Sequence, residues 1–234
     1  MITSIPRVGL SSRLMRRRLA SNTILLVNFN GTNGSTTFVD QSAAPHTLTA
    51  NGSAQITTTG PKFGTGALSL GGSSDAMIIS GSPADFGFGA SDDVCVEFWA
   101  NPTSNNGPSL FDFRSGGAGG AMGPVMFMSG GTLFLQANGG AVTISGGSVA
   151  TGSYQHFAWC RAAGSSRMFL DGNQVGSTTA DTNNYITNST LRFGGNGNNT
   201  AGMPGKIDGI RVKRGPGAGI YTANFIPSAA EFTS

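Results

Sequence analysis

Apolar and polar residues alternate along short stretches of this chain, and clusters of glycine, asparagine and serine separate the stretches. Alternation with a period of two is typical of β-strands that bury one face, and the clusters are typical of tight turns. A dozen such strands predict two packed sheets and no long helix. The predicted strands are Ile24–Phe29, Ala67–Leu70, Ala76–Ile79, Val94–Ala100, Ser109–Phe113, Val125–Met128, Thr132–Ala137, Ala141–Ile144, Gln155–Arg161, Arg167–Leu170, Leu191–Phe193 and Lys206–Lys213.

The strongest local signal is a β-hairpin over Phe169–Gly176, which reads FLDGNQVG. An apolar strand is followed by the pair Asp171–Gly172 and then by a returning strand. Asp-Gly tolerates positive φ at both central positions of a two-residue hairpin turn. The sequence therefore predicts a tight turn at these two residues.

The segment Val94–Trp99 carries bulky or apolar side chains on both faces. Such a strand belongs near the middle of a sheet, with one face on the core and the other face partly covered. Glu97 is the one carboxylate in this segment, so we expect it to have a partner. Val94, Val96 and Phe98 share one face, and Cys95, Glu97 and Trp99 share the other.

The order of several motifs resembles the laminin-G-like members of the concanavalin A-like jelly rolls. The hairpin is followed by LRFGGNG at 191–197, by GKIDGIRV at 205–212 and by YTANF at 221–225, and TILLVNFNGTNGSTTFVD at 23–40 precedes it. The resemblance runs from about Ile24 to Phe232. It implies an all-β fold, a two-sheet antiparallel jelly-roll sandwich over residues 23–234. It is most similar to versions in bacteriophage virion proteins, where such domains decorate heads, tails or fibres.

Basic residues concentrate in residues 1–22, which we interpret as an N-terminal arm. Five of the 14 Lys and Arg residues precede Asp40, the first acid, and the rest of the chain has nine cations against 11 acids. A slightly acidic body lacks the basic face that nucleic-acid binding requires. We expect the arm to tether the protein to capsid or tail proteins of a virion. Its arginines are Arg7, Arg13, Arg16, Arg17 and Arg18.

The sequence shows neither a membrane span nor a secretory signal. Its longest apolar run, Ile24–Val27, is far shorter than the roughly 20 residues that cross a bilayer. The arginines of the arm are not followed by an apolar segment with a cleavage site. These patterns, taken with the resemblance, predict a location on the virion surface.

The two cysteines, Cys95 and Cys160, lie inside predicted strands and lack metal-site spacing. Buried free thiols are the favoured interpretation. A disulfide stays open, because the two strands can be neighbours in the sheet.

Catalytic patterns are sparse. Same-strand carboxylates two residues apart suit glycosidase chemistry, but Glu97 has only Asp93, four residues away, on its own side. A pair assembled from different strands stays open among Glu97, Asp112, Asp171 and Asp208, although roles in turns and hydrogen bonding are favoured. His46 and His156 accompany no nucleophile-elbow serine, and His156 is predicted to be a packing residue. We expect no enzymatic activity.

Candidate ligand residues lie mainly in loops. Related domains commonly bind calcium, but Asp92–Asp93 and Asn196–Asn199 show no EF-hand-like spacing, so no metal is assigned. Trp99 and Trp159 are expected to be buried, which leaves Tyr185 and Tyr221 as the freer aromatics. The segments Arg114–Gly123 and Gly194–Gly202 are predicted to be mobile surface loops. The candidate glycan contacts are Tyr185, Asn196, Asn198 and Asn199.

Three functional hypotheses follow, in decreasing order of preference. The first is a non-enzymatic virion structural protein that displays a lectin-like jelly roll anchored by its arm. The second is a carbohydrate-binding adhesin that recognises host surface polysaccharide. The third, disfavoured for the reasons above, is a glycoside hydrolase. The sequence leaves homo-oligomerisation open.

Overall fold

A computed structural model describes residues 22–81, 84–114, 122–185, 190–215 and 221–234. These residues form fifteen strands, short 3-10 turns at Ala84–Phe86 and Asn138–Gly140, and connecting loops. No helix in the described part is long and apolar enough to cross a membrane. The arginines of the predicted arm, and residues 115–121 of the predicted loop Arg114–Gly123, lie outside the described residues.

Two antiparallel sheets form the sandwich, so the predicted all-β jelly roll is confirmed. In sheet A the order is β13-β12-β11-β6-β15-β4-β3, and β1 also pairs with β15. In sheet B the order is β10-β9-β8-β7-β14-β5-β2. The strands of sheet A are β1 (Thr23–Val27), β3 (Gln55–Thr57), β4 (Ala67–Leu70), β6 (Val94–Pro102), β11 (Gln155–Ala162), β12 (Ser165–Leu170), β13 (Asn173–Ala180) and β15 (Gly205–Arg214). The strands of sheet B are β2 (Leu48–Asn51), β5 (Ala76–Ser80), β7 (Ser109–Asp112), β8 (Val125–Ser129), β9 (Thr132–Ala137), β10 (Val142–Ser148) and β14 (Thr190–Phe193).

The predicted hairpin joins β12 to β13. Asp171 and Gly172 have φ values of 50° and 77°, and Leu170 lies opposite Asn173. Both central residues thus have the positive φ that a two-residue turn of this type requires. A side chain at Gly172 would overlap the carbonyl oxygen of Phe225, so glycine is also needed for packing.

The core lies between the sheets and is rich in phenylalanine. Phe98 on β6 stacks on Phe157 of β11 at 5.6 Å and meets Phe111 and Phe193 of sheet B edge-on. All four rings are fully buried. Burial of such side chains supplies most of the favourable free energy of folding.

Two short strands escaped the sequence-based prediction, β2 and β3. They have four and three residues and are rich in threonine and polar side chains. Alternation over so few positions cannot be distinguished from a turn. Each is the last strand in the order of its sheet: β2 pairs with β5 in sheet B, and β3 pairs with β4 in sheet A.

The outer face of sheet A is covered by residues 221–234, which we call the C-terminal strap. Phe232 is buried, and its backbone oxygen accepts a hydrogen bond from Asn28 Nδ2. Tyr221 and Phe225 pack on a cluster that contains Cys95 and Cys160. The strap thus provides the cover expected over the second face of β6.

The two cysteines form a disulfide, so the favoured free-thiol interpretation was wrong. Cys95 on β6 lies directly opposite Cys160 on β11, 65 residues along the chain. Neither the pairing nor the register of these strands is visible in the sequence around each cysteine.

Candidate functional site

Tyr185, a predicted glycan contact, is buried rather than freer. It is 3% exposed and packs edge-on against Trp159, and its hydroxyl donates to Asp181 at 2.7 Å. Burial and the adjacent Asp181 carboxylate raise the pKa of Tyr185. The ring belongs to the core, so the expectation of an accessible Tyr185 was wrong.

The loop Gly194–Gly202 is held by its own asparagines. Asn196 is 7% exposed, and its Oδ1 accepts hydrogen bonds from the backbone N–H groups of Thr200 and Ala201. Asn199 Oδ1 accepts from Arg192 and from Asn51. Asn198 is exposed at the tip of the loop. Asn196 and Asn199 therefore fix the loop, and a glycan contact by any of the three stays a prediction.

The four candidate carboxylates bind largely different neighbours, and among the described residues only His156 hydrogen-bonds to two of them, Asp171 and Glu97. Asp112 binds Arg114 and the Gly197 N–H, and Asp171 accepts from the His156 N–H at 2.8 Å. Asp208 accepts from the N–H groups of Lys62 and Phe63 at 2.5 and 2.8 Å. These are hydrogen-bonding roles, as the sequence favoured, although most of the partners lie far away in the chain.

Glu97 has the partners that its position predicted. Arg211 Nη2 lies 2.7 Å from its Oε1, while His156 and the Tyr221 hydroxyl lie 3.2 and 3.0 Å from its Oε2. Burial acts to raise the pKa of Glu97, but the His156 hydrogen bond and the Arg211 charge outweigh it, so the pKa is lowered. We call these four residues the Glu97 network; it fastens the strap to sheet A.

Both tryptophans and His156 are buried, as predicted. Trp99 is 9% exposed, and Trp159 and His156 are fully buried. The imidazole of His156 packs between the rings of Trp99 and Phe225 at 5.2 and 5.6 Å. Neither tryptophan offers an open ring face to a sugar.

An open cleft of about 400 Å³ lies at the other end of the outer face of sheet A, and we call it the polar cleft. Its floor is a row across three strands, in which Lys206 of β15 lies opposite Ser69 of β4 and Asn101 of β6. The neighbouring Leu68, Ala100 and Ile207 point into the core and are fully buried, so alternation places the row outside. Thr103, Gly152 and Pro204 form the rim.

Lys206 is the one charged side chain among the described residues that line the polar cleft. Its ammonium donates to the Thr59 carbonyl at 2.6 Å. An ammonium carries three N–H donors, so two remain for a ligand. No local sequence pattern marks this row, because it depends on the register of strands far apart in the chain.

Asp208 lies two residues beyond Lys206 on β15, outside the cleft lining. Burial raises the pKa of Asp208 to about 6, the negative charge of Glu231 adds to this rise, and the two backbone N–H donors oppose it. The carboxylate is committed to the backbone of the segment that carries Lys62 and Phe63. It fastens this segment to β15.

No group of three or more His, Cys, Asp or Glu residues in the described part could hold a metal ion. Asp92 and Asp93, considered above for calcium, bind the Gly89 and Ala163 N–H groups, respectively. Asp92 also pairs with Arg214 at 2.7 Å. Asp92 and Asp93 thus already have structural partners. The candidate site is the polar cleft, whose described lining consists of neutral residues and Lys206.

A family model called Laminin_G_3, described as the concanavalin A-like lectin/glucanases superfamily, matches residues 70–215. The match is more than half of the 234 residues. It begins at the last residue of β4 and ends one residue beyond β15. A comparison with curated proteins gives no match.

Solved structures share the fold at low sequence identity. Domain 4 of AbnA, a GH43 extracellular arabinanase from Geobacillus stearothermophilus in complex with arabinotriose, is 17% identical, with a TM-score of 0.58 over 82% of this chain and 92% of that one. A structure of botulinum neurotoxin type C, whose cell entry depends on interaction with two ganglioside molecules, is 14% identical, with a TM-score of 0.60 over 84% and 49%. The binding domain of Paraclostridial Mosquitocidal Protein 1 is 15% identical, with a TM-score of 0.59 over 89% and 50%. The chain spans about half the length of the two toxin chains.

Proposed function

Because the chain belongs to the Laminin_G_3 family of the concanavalin A-like lectin/glucanases superfamily, we propose that it is a non-enzymatic, lectin-like domain that binds carbohydrate in the polar cleft. The row of Ser69, Asn101 and Lys206 carries this proposal. It places a hydroxyl, an amide Nδ2 and an ammonium side by side on a rigid sheet, while the Oδ1 of Asn101 is buried. Such groups donate to and accept from the hydroxyls of a sugar, and a few polar groups in fixed positions are what orients a ligand in a pocket.

The lining of the polar cleft also supports a role in binding rather than in hydrolysis. No carboxylate is among the described residues that line it. Glycosidases need an acid and a second carboxylate on either side of the bond that breaks. The relatives are consistent with this proposal, since one holds arabinotriose and another interacts with gangliosides.

A glycan array tests the proposal directly. The array would carry arabinan, chitin, N-acetyllactosamine polymers and sialylated glycans, and would be read with and without calcium. We expect binding to at least one class and no release of reducing ends from the bound polymers. Release of reducing ends would contradict the non-enzymatic assignment.

Location is tested with matched substitutions. Ser69→Trp places a large ring on the floor of the polar cleft, and Ser145→Trp places the same ring on an exposed position of β10 in sheet B. We expect Ser69→Trp to weaken binding at least tenfold and Ser145→Trp to leave it unchanged, with equal thermal stability. Asn101→Ala serves as a second cleft variant if Ser69→Trp does not fold. Full binding by the cleft variants would reject the polar cleft.

We also propose display of this domain on a virion, as a capsid-decorating, fibre or tail-associated protein. The supporting observation is the charge contrast between the five arginines of residues 1–22 and the slightly acidic remainder. A basic segment suits docking on an acidic or grooved surface of a neighbouring protein, and many copies on one particle would let weak glycan sites act together. Deletion of residues 1–22 should abolish incorporation into particles. Full occupancy by the shortened protein would overturn this role.

A further inference from the structure

A second cleft of about 320 Å³ adjoins the polar cleft, and Pro204 lines both. The same chain segments supply the walls on each side of this proline. Gly71 and Thr103 line the polar cleft, and the next residue of each segment, Gly72 and Ser104, lines the second cleft. The two clefts are therefore neighbours that meet at Pro204.

We infer that the two clefts form one groove for an internal stretch of a linear polysaccharide, with one subsite on each side of Pro204. This inference rests on the proposed carbohydrate-binding function and specifies its ligand as a chain rather than a terminal sugar. Each cleft lies at the lower end of the roughly 300–1,000 Å³ of ligand pockets, so each one suits a small unit of a larger ligand.

The chemistry of the second cleft matches that of the first. Its lining combines the side chains of Ser73, Ser104, Asn106 and Thr200 with glycines and prolines. The described residues that line it include no charged side chain. Hydroxyls, amides and backbone groups suit the neutral hydroxyls of a sugar chain, so one polymer can be recognised across both clefts.

Close backbone contacts make the groove rigid. A side chain at Gly202 would overlap the Gly72 carbonyl oxygen, and one at Gly205 would overlap the Asn101 carbonyl oxygen. The Pro204 carbonyl accepts hydrogen bonds from the Thr103 N–H at 2.8 Å and from its hydroxyl at 3.2 Å. The ridge between the subsites is thus fixed, which lowers the entropic cost of binding.

The outer rim of the groove is open. A side chain added at Gly107 or at Gly152 would meet nothing within 4 Å. Gly107 lies on the rim of the second cleft and Gly152 on the rim of the polar cleft. A polymer can therefore extend past either subsite, which a pocket for a terminal sugar would prevent.

Chain length is the test variable. Titrations of ¹⁵N-labelled protein would use arabino- and N-acetyllactosamine oligosaccharides of one to six units. Glycine amides report each subsite, with Gly71, Gly152 and Gly205 for the polar cleft and Gly72, Gly107 and Gly202 for the second cleft. We expect monomers to perturb one set and the longer chains of at least one series to perturb both sets and bind at least tenfold more tightly.

A substitution separates the subsites. Ser104→Trp should reduce the affinity for hexamers to that for monomers, while Ser69→Trp should weaken every chain length. Hexamers that bind no more tightly than monomers, or that perturb a single set, would overturn the inference and leave the proposed function intact. If no oligosaccharide perturbs either set and the glycan array is blank, the proposed function fails and the inference with it.

Discussion

The outer face of sheet A carries two regions that use polar side chains in opposite ways. Under the C-terminal strap, both oxygens of Glu97 are occupied by Arg211, His156 and Tyr221. At the other end, the Ser69 hydroxyl bonds to no side chain in the described part. Lys206 uses one of its three ammonium donors in the hydrogen bond to the Thr59 carbonyl. Saturated polar groups stabilise the fold, whereas polar groups left open on a rigid floor are available to a ligand.

Breaking the Glu97 network is expected to have the largest effect. Arg211→Met removes the arginine partner of the buried Glu97 carboxylate, and removal of one partner of a buried ion pair typically costs about 3–5 kcal/mol. Urea denaturation at pH 7 measures the loss of unfolding free energy. Arg167→Met is the control, since the side chain of Arg167 makes one long hydrogen bond within the described residues, to the Ser165 carbonyl. A loss below about 1 kcal/mol for Arg211→Met would show that the network does not hold the strap.

Loosening the strap is expected to have the next largest effect. Phe225 packs on Phe169 and on the cysteine cluster but is only half-buried, so Phe225→Ala should cost about 2 kcal/mol. The same change should speed reduction of the Cys95–Cys160 disulfide by dithiothreitol, because access limits thiol exchange. Ile226→Ala is the control at a 95% exposed neighbour. Equal reduction rates in the two variants would mean that the strap does not shield the disulfide.

Local features of this molecule could be predicted from sequence, and register-dependent ones could not. The Asp171–Gly172 turn was predictable because both residues of the turn are adjacent. The need of Glu97 for a partner was also predictable, from apolar neighbours on its own strand. Its partners Arg211 and Tyr221 lie more than 100 residues away, and only the pairing of β6 with β15 and the path of the strap bring them to it.

The surroundings of the candidate glycan contacts were not predictable for the same reason, although the contacts themselves stay predictions. Tyr185 and Asn196 lie in polar surroundings along the sequence, which suggested exposure. In the folded protein Tyr185 is buried in the core, and the side chain of Asn196 hydrogen-bonds to the backbone of its own loop. The floor of the polar cleft joins Ser69, Asn101 and Lys206 from three strands, and no local pattern marks them.

The pH dependence of stability should differ in sign between Glu97, under the strap, and Asp208, which lies outside the lining of the polar cleft. The folded-state pKa of Asp208 is raised from 3.8 to about 6, so this group favours the folded state most at low pH, and its contribution falls as the pH rises from about 4 to about 6. The pKa of Glu97 is lowered from 4.5, so its contribution is present above that value and is lost as the pH falls below it.

Two substitutions separate these contributions. Over a range from about pH 3 to about pH 7, Asp208→Asn should gain stability relative to wild type as the pH rises from about 4 to about 6, and Glu97→Gln should lose stability relative to wild type as the pH rises toward 4.5, with little further change above it. Urea midpoints at intervals across this range provide the measurement. Parallel profiles for Asp208→Asn and wild type would show that Asp208 titrates as it does in the unfolded chain.

The smallest effect on stability, and a clear effect on binding, is expected at Lys206. Lys206→Met should change the unfolding free energy by no more than about 0.5 kcal/mol, because the side chain is half-buried and bonds to one carbonyl. The same variant should bind arabino- or N-acetyllactosamine hexamers about tenfold more weakly, because it lacks the two ammonium donors that Lys206 offers to a ligand. Lys213→Met removes the same charge from the same strand but outside the cleft. If both variants bind as wild type does, Lys206 does not contact the ligand and only hydrogen-bonds to the Thr59 carbonyl. The described lining of the polar cleft would then offer a ligand no charged group.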